Sequence, residues 1–197
     1  RIFADPELAE KTRKLLREHT VLYNAELPGA IHTLGPAELA ALKASGVTDT
    51  TKVLNLRKIL AQVVEAEGES KPFLFSIGER ADAIAQAYED RQIGTQQALE
   101  QFEELTQEYI GADEETVRLG LDPNTFAIYR LLRLLVAEVK SERARAIDAA
   151  FRHFPDFRWD ERQKSELLAE LYGLLLPLMD AEGAVAAANA LLRLKRV

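Results

Sequence analysis

Cysteine is absent from this chain of 197 residues, which removes disulfides, thiolate catalysis and Cys-ligated metal sites together. A reducing compartment is compatible with that composition, and the cytoplasm is the expected location. No apolar run reaches the length of about 18 residues that a membrane span needs, so no membrane partner is expected. The N-terminus has no basic, apolar, small-residue signal pattern, and the chain reads as soluble and unexported. It opens on Arg1 rather than Met, in mid-pattern, as a fragment of a larger protein would. The string G-x-x-x-x-G-K-[ST] is missing, so there is no phosphate loop for a nucleotide, and no G-x-S-x-G elbow carries a nucleophilic serine. Alternating strand patterns of useful length are missing as well.

What the chain has is helical period almost throughout. Hydrophobic residues make up 47% and charged residues 29%, enough apolar surface for one domain or two packed subdomains, 1–68 and 69–197. Asp5 and Pro6 supply a cap and a first-turn proline for a helix ending near Tyr23, with a loop at 27–35. Pro36 opens a short helix through Leu42. Asp49 or Thr50 caps the next, where Val53, Leu56, Leu60 and Val63 make a stripe that Gly68 stops. Pro72 to Phe75 read as an extended lead-in, and Ser76 with Glu79 has capping-box spacing for a helix starting at Ile77. Thr95 offers the next cap, and Leu99, Phe102, Leu105 and Tyr109 form the buried face behind it. After Gly120, Asp122 and Pro123, a helix from Phe126 to Val139 is apolar nearly all round and is expected at the centre. Helices around Ile147 and Phe151, from Asp160 to Leu176, and from Ala184 to Leu194 complete the pattern. The fold class is all-α, a bundle of about seven to nine helices.

Charge along this pattern is lopsided. Residues 65–115 hold fourteen Asp and Glu against Lys71, Arg80 and Arg91, a local balance of −11 in a chain of net charge −7. The rest is therefore slightly basic. An acidic face of this strength repels phosphates, so it belongs to water or to a basic protein partner. Glu100, Glu103, Glu104 and Glu108 are expected on the exterior of an antiparallel helical hairpin.

Candidate sites are few. His19, His32 and His153 have neither the Glu-x-x-His spacing of di-iron bundles nor the i, i+4 pairing of zincins, and no metal site is expected. Asp113, Glu114 and Glu115 look like an acidic box, but the residues before them are helical and no phosphate loop accompanies them; they read as solvated charge. Glu138 to Lys140 has the E-x-K spelling of a metal-dependent nuclease without the acidic strand partner, inside what reads as a helix. Arg143, Arg145, Arg152, Arg158 and Arg162 fall within twenty residues of one another, interleaved with His153, Phe157 and Trp159. Such a mixture grips phosphates and stacks on bases, or anchors a protein interface through Trp159 and Arg158. Against both stands pairing with the interspersed Glu142, Asp148, Asp156 and Glu161.

Several segments in fixed order resemble the C-terminal region of type I restriction endonuclease R subunits. They are FADPELAEKTRKLLREHT at 3–20, SIGERADAI at 76–84, GLDPNTFAIY at 120–129, and FPDFRW at 154–159 followed by Gln163 and Leu167 to Tyr172. The resemblance implies a larger polypeptide in which a nuclease domain and two RecA-like motor domains, with their ATP and Mg, cleave and translocate DNA. The helical region would pack on that motor and dock to the methyltransferase core of modification (M) and specificity (S) subunits. This stretch would itself be non-catalytic and hold no cofactor. A DNA-contacting module using residues 143–162 is the alternative.

Overall fold

Pro36 stands at the first turn of the first helix described, where its fixed φ suits the helix and its missing N–H costs no bond. The structure is a computed structural model describing residues 34–197; the helix expected between Asp5 and Tyr23 lies outside them. Among the described residues there are eight helices and no strand, so this part of the chain is an all-α bundle. The helices are α1 (Pro36–Ala44), α2 (Asp49–Glu67), α3 (Leu74–Glu89), α4 (Thr95–Leu119), α5 (Pro123–Leu135), α6 (Ser141–His153), α7 (Glu161–Leu175) and α8 (Ala181–Arg193). No helix among them is long and apolar enough to cross a membrane.

The apolar stripes decide what packs on what. Val53, Leu56, Leu60 and Val63 are all buried, and they lay α2 against both α3 and α4. Helix α3 also packs on α4, burying Leu74, Ile77, Ala81 and Ala85 against a face that includes Leu99, Phe102 and Leu105. A second group closes around α5, which packs on α6 and α8, while α7 packs on α6 and α8. Ala184, Ala187 and Ala188 of α8 are buried, and such small side chains allow close approach to α5 and α7. Each large side chain excluded from water here, such as Phe102 or Phe126, contributes about 1.5–3 kcal/mol.

The two groups meet at a few residues. Phe73, just before α3, and Phe126 of α5 touch edge to face with centroids 5.3 Å apart. Arg130 of α5 reaches α4, pairing with Glu108 at 2.6 Å and Glu115 at 2.7 Å, and Arg80 of α3 completes the chain of charges on Glu108 at 2.6 Å. Glu115 is thus no solvated charge: its side chain is 13% exposed, and it also accepts from Arg118. Burial and the like charges of Arg133 and Arg80 pull the Arg130 guanidinium down to about 10, which leaves it cationic at neutral pH.

Several expected details differ. The cap of α2 is Thr48, one residue upstream, whose hydroxyl accepts from the Thr51 N–H at 3.3 Å; Asp49 then falls in the first turn, where a negative charge meets the positive end of the helix. Residues 72–75 are not extended. Leu74 N–H bonds to Lys71 O at 3.0 Å and Phe75 N–H to Pro72 O at 3.2 Å, so α3 begins three residues before Ile77 and the Ser76–Glu79 capping box is not used. Burial of Phe73 and Leu74 outweighs the cap, which is worth about 1 kcal/mol. Thr95 lies inside α4, and its hydroxyl faces the Tyr88 hydroxyl at 3.2 Å instead of capping. Helix α5 stops at Leu135: residues 136–140 are spent on the reversal that lays α6 on α5, and Leu134 and Leu135 are each 49% exposed. Glu138 to Lys140 therefore lies in this connection and not in a helix. On the acidic hairpin, Glu100 and Glu104 are exposed as expected, but Glu103 pairs with Lys43 at 2.8 Å and Glu108 is committed to Arg80 and Arg130.

Candidate interaction surface

Helix α6, the turn after it and the start of α7 carry the basic and aromatic residues singled out above. Ala144, Ile147, Ala150 and Phe151 bury one face of α6, and Phe157 folds back onto Phe151 edge to face at 5.3 Å. That contact anchors residues 154–160 as a tight turn, closed by Trp159 N–H to Asp156 O at 2.8 Å. Asp160 then caps α7, its carboxylate accepting from the Arg162 N–H at 2.8 Å and the Gln163 N–H at 3.2 Å.

The arginines have separate employments. Arg145 donates to Leu119 O at 3.0 Å and Gly120 O at 3.2 Å, satisfying the last carbonyls of α4, where Gly120 takes the left-handed conformation (φ 59°) that closes the helix. Arg152 pairs with Asp148 and, at 3.6 Å, with Asp122. Asp148 is 1% exposed, a carboxylate on the buried face of α6, and it also accepts from Arg196 at 2.5 Å. A carboxylate so enclosed is tolerable because two guanidiniums hold it, and Arg196 lies over the Phe151 ring at 4.6 Å. Arg158 donates through Nη2 to Leu194 O at 2.8 Å and stacks over Phe157. Arg162 pairs with Glu166 at 2.9 Å. Arg143 has no side-chain partner among the described residues.

These residues do not converge on one site. Arg152, Arg158 and Trp159 line one cleft of about 410 Å³, with Pro155, Arg196 and the chain end at Val197, which Asn124 holds by two hydrogen bonds of 2.6 and 3.0 Å. Arg143 lines another, of about 810 Å³, with Arg133, Val139, Lys140, Glu142 and Leu178. Arg145 is spent at the end of α4, and Arg162 projects from α7. Trp159 is 88% exposed, the largest apolar side chain left in water among the described residues.

Asp122 and Asp148 share the Arg152 guanidinium beside the cleft, and no three His, Asp or Glu residues among the described ones are placed to hold a metal ion. His153 faces Glu170 at 3.6 Å; His19 and His32 lie outside the described residues. Trp159 and Arg158 set an exposed apolar face beside a cation at this cleft. Compared with protein-family models, with curated proteins and with solved structures, the chain finds no match.

Three residues of this surface escaped the sequence reading. Asp148 was named only as one possible partner for the arginines, although a carboxylate among Ile147, Ala150 and Phe151, four residues before Arg152, marks a buried ion pair. Arg196 and Asn124 gave no signal, because their partners lie 48 and 73 residues away.

Proposed function

We propose that the chain is a non-catalytic helical assembly domain of the kind found in the C-terminal region of type I restriction endonuclease R subunits. In that reading it packs on the parent's ATP-dependent translocase motor and docks to the methyltransferase core of M and S subunits in the cytoplasm, while other domains of the parent, with their ATP and Mg, cleave unmethylated foreign DNA. The ordered resemblance of four segments motivates the family. The observation that carries the docking role is the exposed Trp159 beside Arg158 at the rim of a concave surface, since Trp and Arg dominate the energetics of protein interfaces.

The rival role, DNA contact through Arg143 to Arg162, loses ground to the pairings of those side chains. Arg152 and Arg162 are neutralised by carboxylates, and Arg145 and Arg158 donate to backbone carbonyls. Phosphate binding draws its strength from several free cations spaced along a backbone, and the three arginines of this stretch without a carboxylate partner among the described residues stand apart, Arg143 and Arg158 in different clefts and Arg145 on the final carbonyls of α4. The test is a pull-down of the purified chain against the assembled methyltransferase core. Stable co-elution is expected; absence of binding by a chain shown to be helical by circular dichroism would end the assembly reading. Binding to duplex DNA that weakens steeply with salt would favour the rival.

A further inference from the structure

The cleft beneath Trp159 has a charge balance that specifies more than a generic interface. Arg152 and Arg196 share Asp148, and Asp122 adds a second carboxylate 3.6 Å from Arg152. The Asp122 carboxylate stays ionised: burial pushes it up, but hydrogen bonds from the Thr125 hydroxyl and the Thr125 N–H, with Arg152 nearby, hold it below its ordinary value. These two cations are therefore balanced inside the protein. Arg158 is not. One of its nitrogens donates to Leu194 O, its plane covers Phe157, and no carboxylate pairs with it among the described residues. A single uncompensated guanidinium thus stands next to a bare indole, with Pro155 and Phe157 as apolar walls.

We propose that this cleft binds a protein segment presenting one carboxylate beside an apolar or aromatic side chain, the carboxylate on Arg158 and its neighbour packed on Trp159. The planar guanidinium offers a carboxylate two parallel N–H donors, and the indole offers the adjacent side chain a large apolar face at little cost in ordering. A nucleic acid would match the same two side chains, with phosphate on Arg158 and a base on Trp159. It fits less well, because the one surplus charge in this cleft gives one phosphate contact, and a polyanion draws its affinity from several. The inference names the site of the docking role proposed above but does not depend on the identity of the parent complex.

Trp159 is the sole tryptophan of the chain, so its emission reports on this cleft directly. The probe is an acetylated, amidated pentapeptide Ala-Leu-Asp-Phe-Ala, titrated into the full chain, with the Asn-for-Asp peptide and a thymidine 20-mer as comparisons. A saturable change in emission is expected with the Asp peptide, weakened about tenfold by the Asn peptide and to a similar degree by Arg158→Gln, as for loss of a charge-assisted hydrogen bond. Arg143→Gln, in the other cleft, should leave the titration unchanged. A flat titration, an equal response to both peptides, or insensitivity to Arg158→Gln in a variant with unaltered circular dichroism overturns the proposal. A saturable response confined to the thymidine oligomer, weakening steeply with salt, overturns it in favour of nucleic acid. Failure of the docking role reads out separately, in the pull-down against the methyltransferase core.

Discussion

At the scale of single residues, the side chains that a sequence reader would assign to chemistry are mostly spent on one another. Tyr109 illustrates the consequence. It is 8% exposed, its hydroxyl donates to Glu67 at 3.0 Å, and Lys71 bridges Glu67 and Asp113 at 2.9 Å to each. Burial first, and then the hydrogen bond to Glu67, push the phenol up from its ordinary 10.0 to about 12. The neutral phenol is the form the fold accommodates. Above pH 10 the unfolded chain ionises this group while the folded chain does not, so its contribution to stability is whole below pH 10 and is lost as pH rises towards about 12. A spectrophotometric titration should accordingly show a late step that Tyr109→Phe removes. If Tyr109→Phe leaves the high-pH end of the titration unchanged, the environment described for Tyr109 is wrong. No composition or spacing announced this cluster, since Glu67 and Tyr109 are 42 residues apart and come together through the packing of α2 on α4.

At the scale of elements, the caps show how far local sequence determines a helix. Asp160 caps α7 as its pattern predicts and Pro36 sits in the first turn of α1, while Asp122, legible in the sequence only as a break before the next helix, caps α5. Ser76 has an equally good pattern and does not cap, because Phe73 and Leu74 upstream have a core to enter and carry the helix back past it. Local pattern therefore succeeded where tertiary burial agreed with it. The same distinction explains the acidic hairpin: helical period was enough to place Leu99, Phe102, Leu105 and Tyr109 inside, but charge pattern could not separate the exposed Glu100 and Glu104 from Glu103 and Glu108, which are tied to partners distant in sequence. It also missed the end of α5, where the need to reverse direction overrides an apolar run. The caps are directly testable. Asp160→Ala should cost about 1 kcal/mol in urea unfolding, the usual loss for an N-cap carboxylate, while Ser76→Ala should change stability by less than about 0.5 kcal/mol. Equal losses at the two positions would mean that Ser76 caps α3 after all.

At the scale of the whole described unit, two groups of four helices, α1–α4 and α5–α8, share a short list of connections. Within each group the helices pack face to face; between them stand the Phe73–Phe126 contact, Arg145 on the final carbonyls of α4, Arg130 held by Glu108 and Glu115, and Arg133 near Glu115. Of these, Arg130 has the most to lose. Its side chain is 18% exposed and its two carboxylates are 20% and 13% exposed, so removing it strands charge that water reaches poorly. Glu108 keeps Arg80, and Glu115 keeps Arg133 at 3.8 Å, which limits the loss to about 1.5–3 kcal/mol, the range for hydrogen bonds to charged groups. Arg130→Ala should therefore lower the unfolding midpoint, and it should do so by uncoupling the two groups. The urea transition is then expected to broaden, with a smaller slope or two resolved steps, because each group unfolds on its own and exposes part of the total surface. Arg162→Ala, which touches Glu166 alone on the exposed side of α7, is the control and should leave both midpoint and slope unchanged. A midpoint shift at constant slope for Arg130→Ala would mean that Phe73, Phe126, Arg133 and Arg145 suffice to keep the eight helices one cooperative unit; no shift at all would remove the charge chain from the forces joining the two groups.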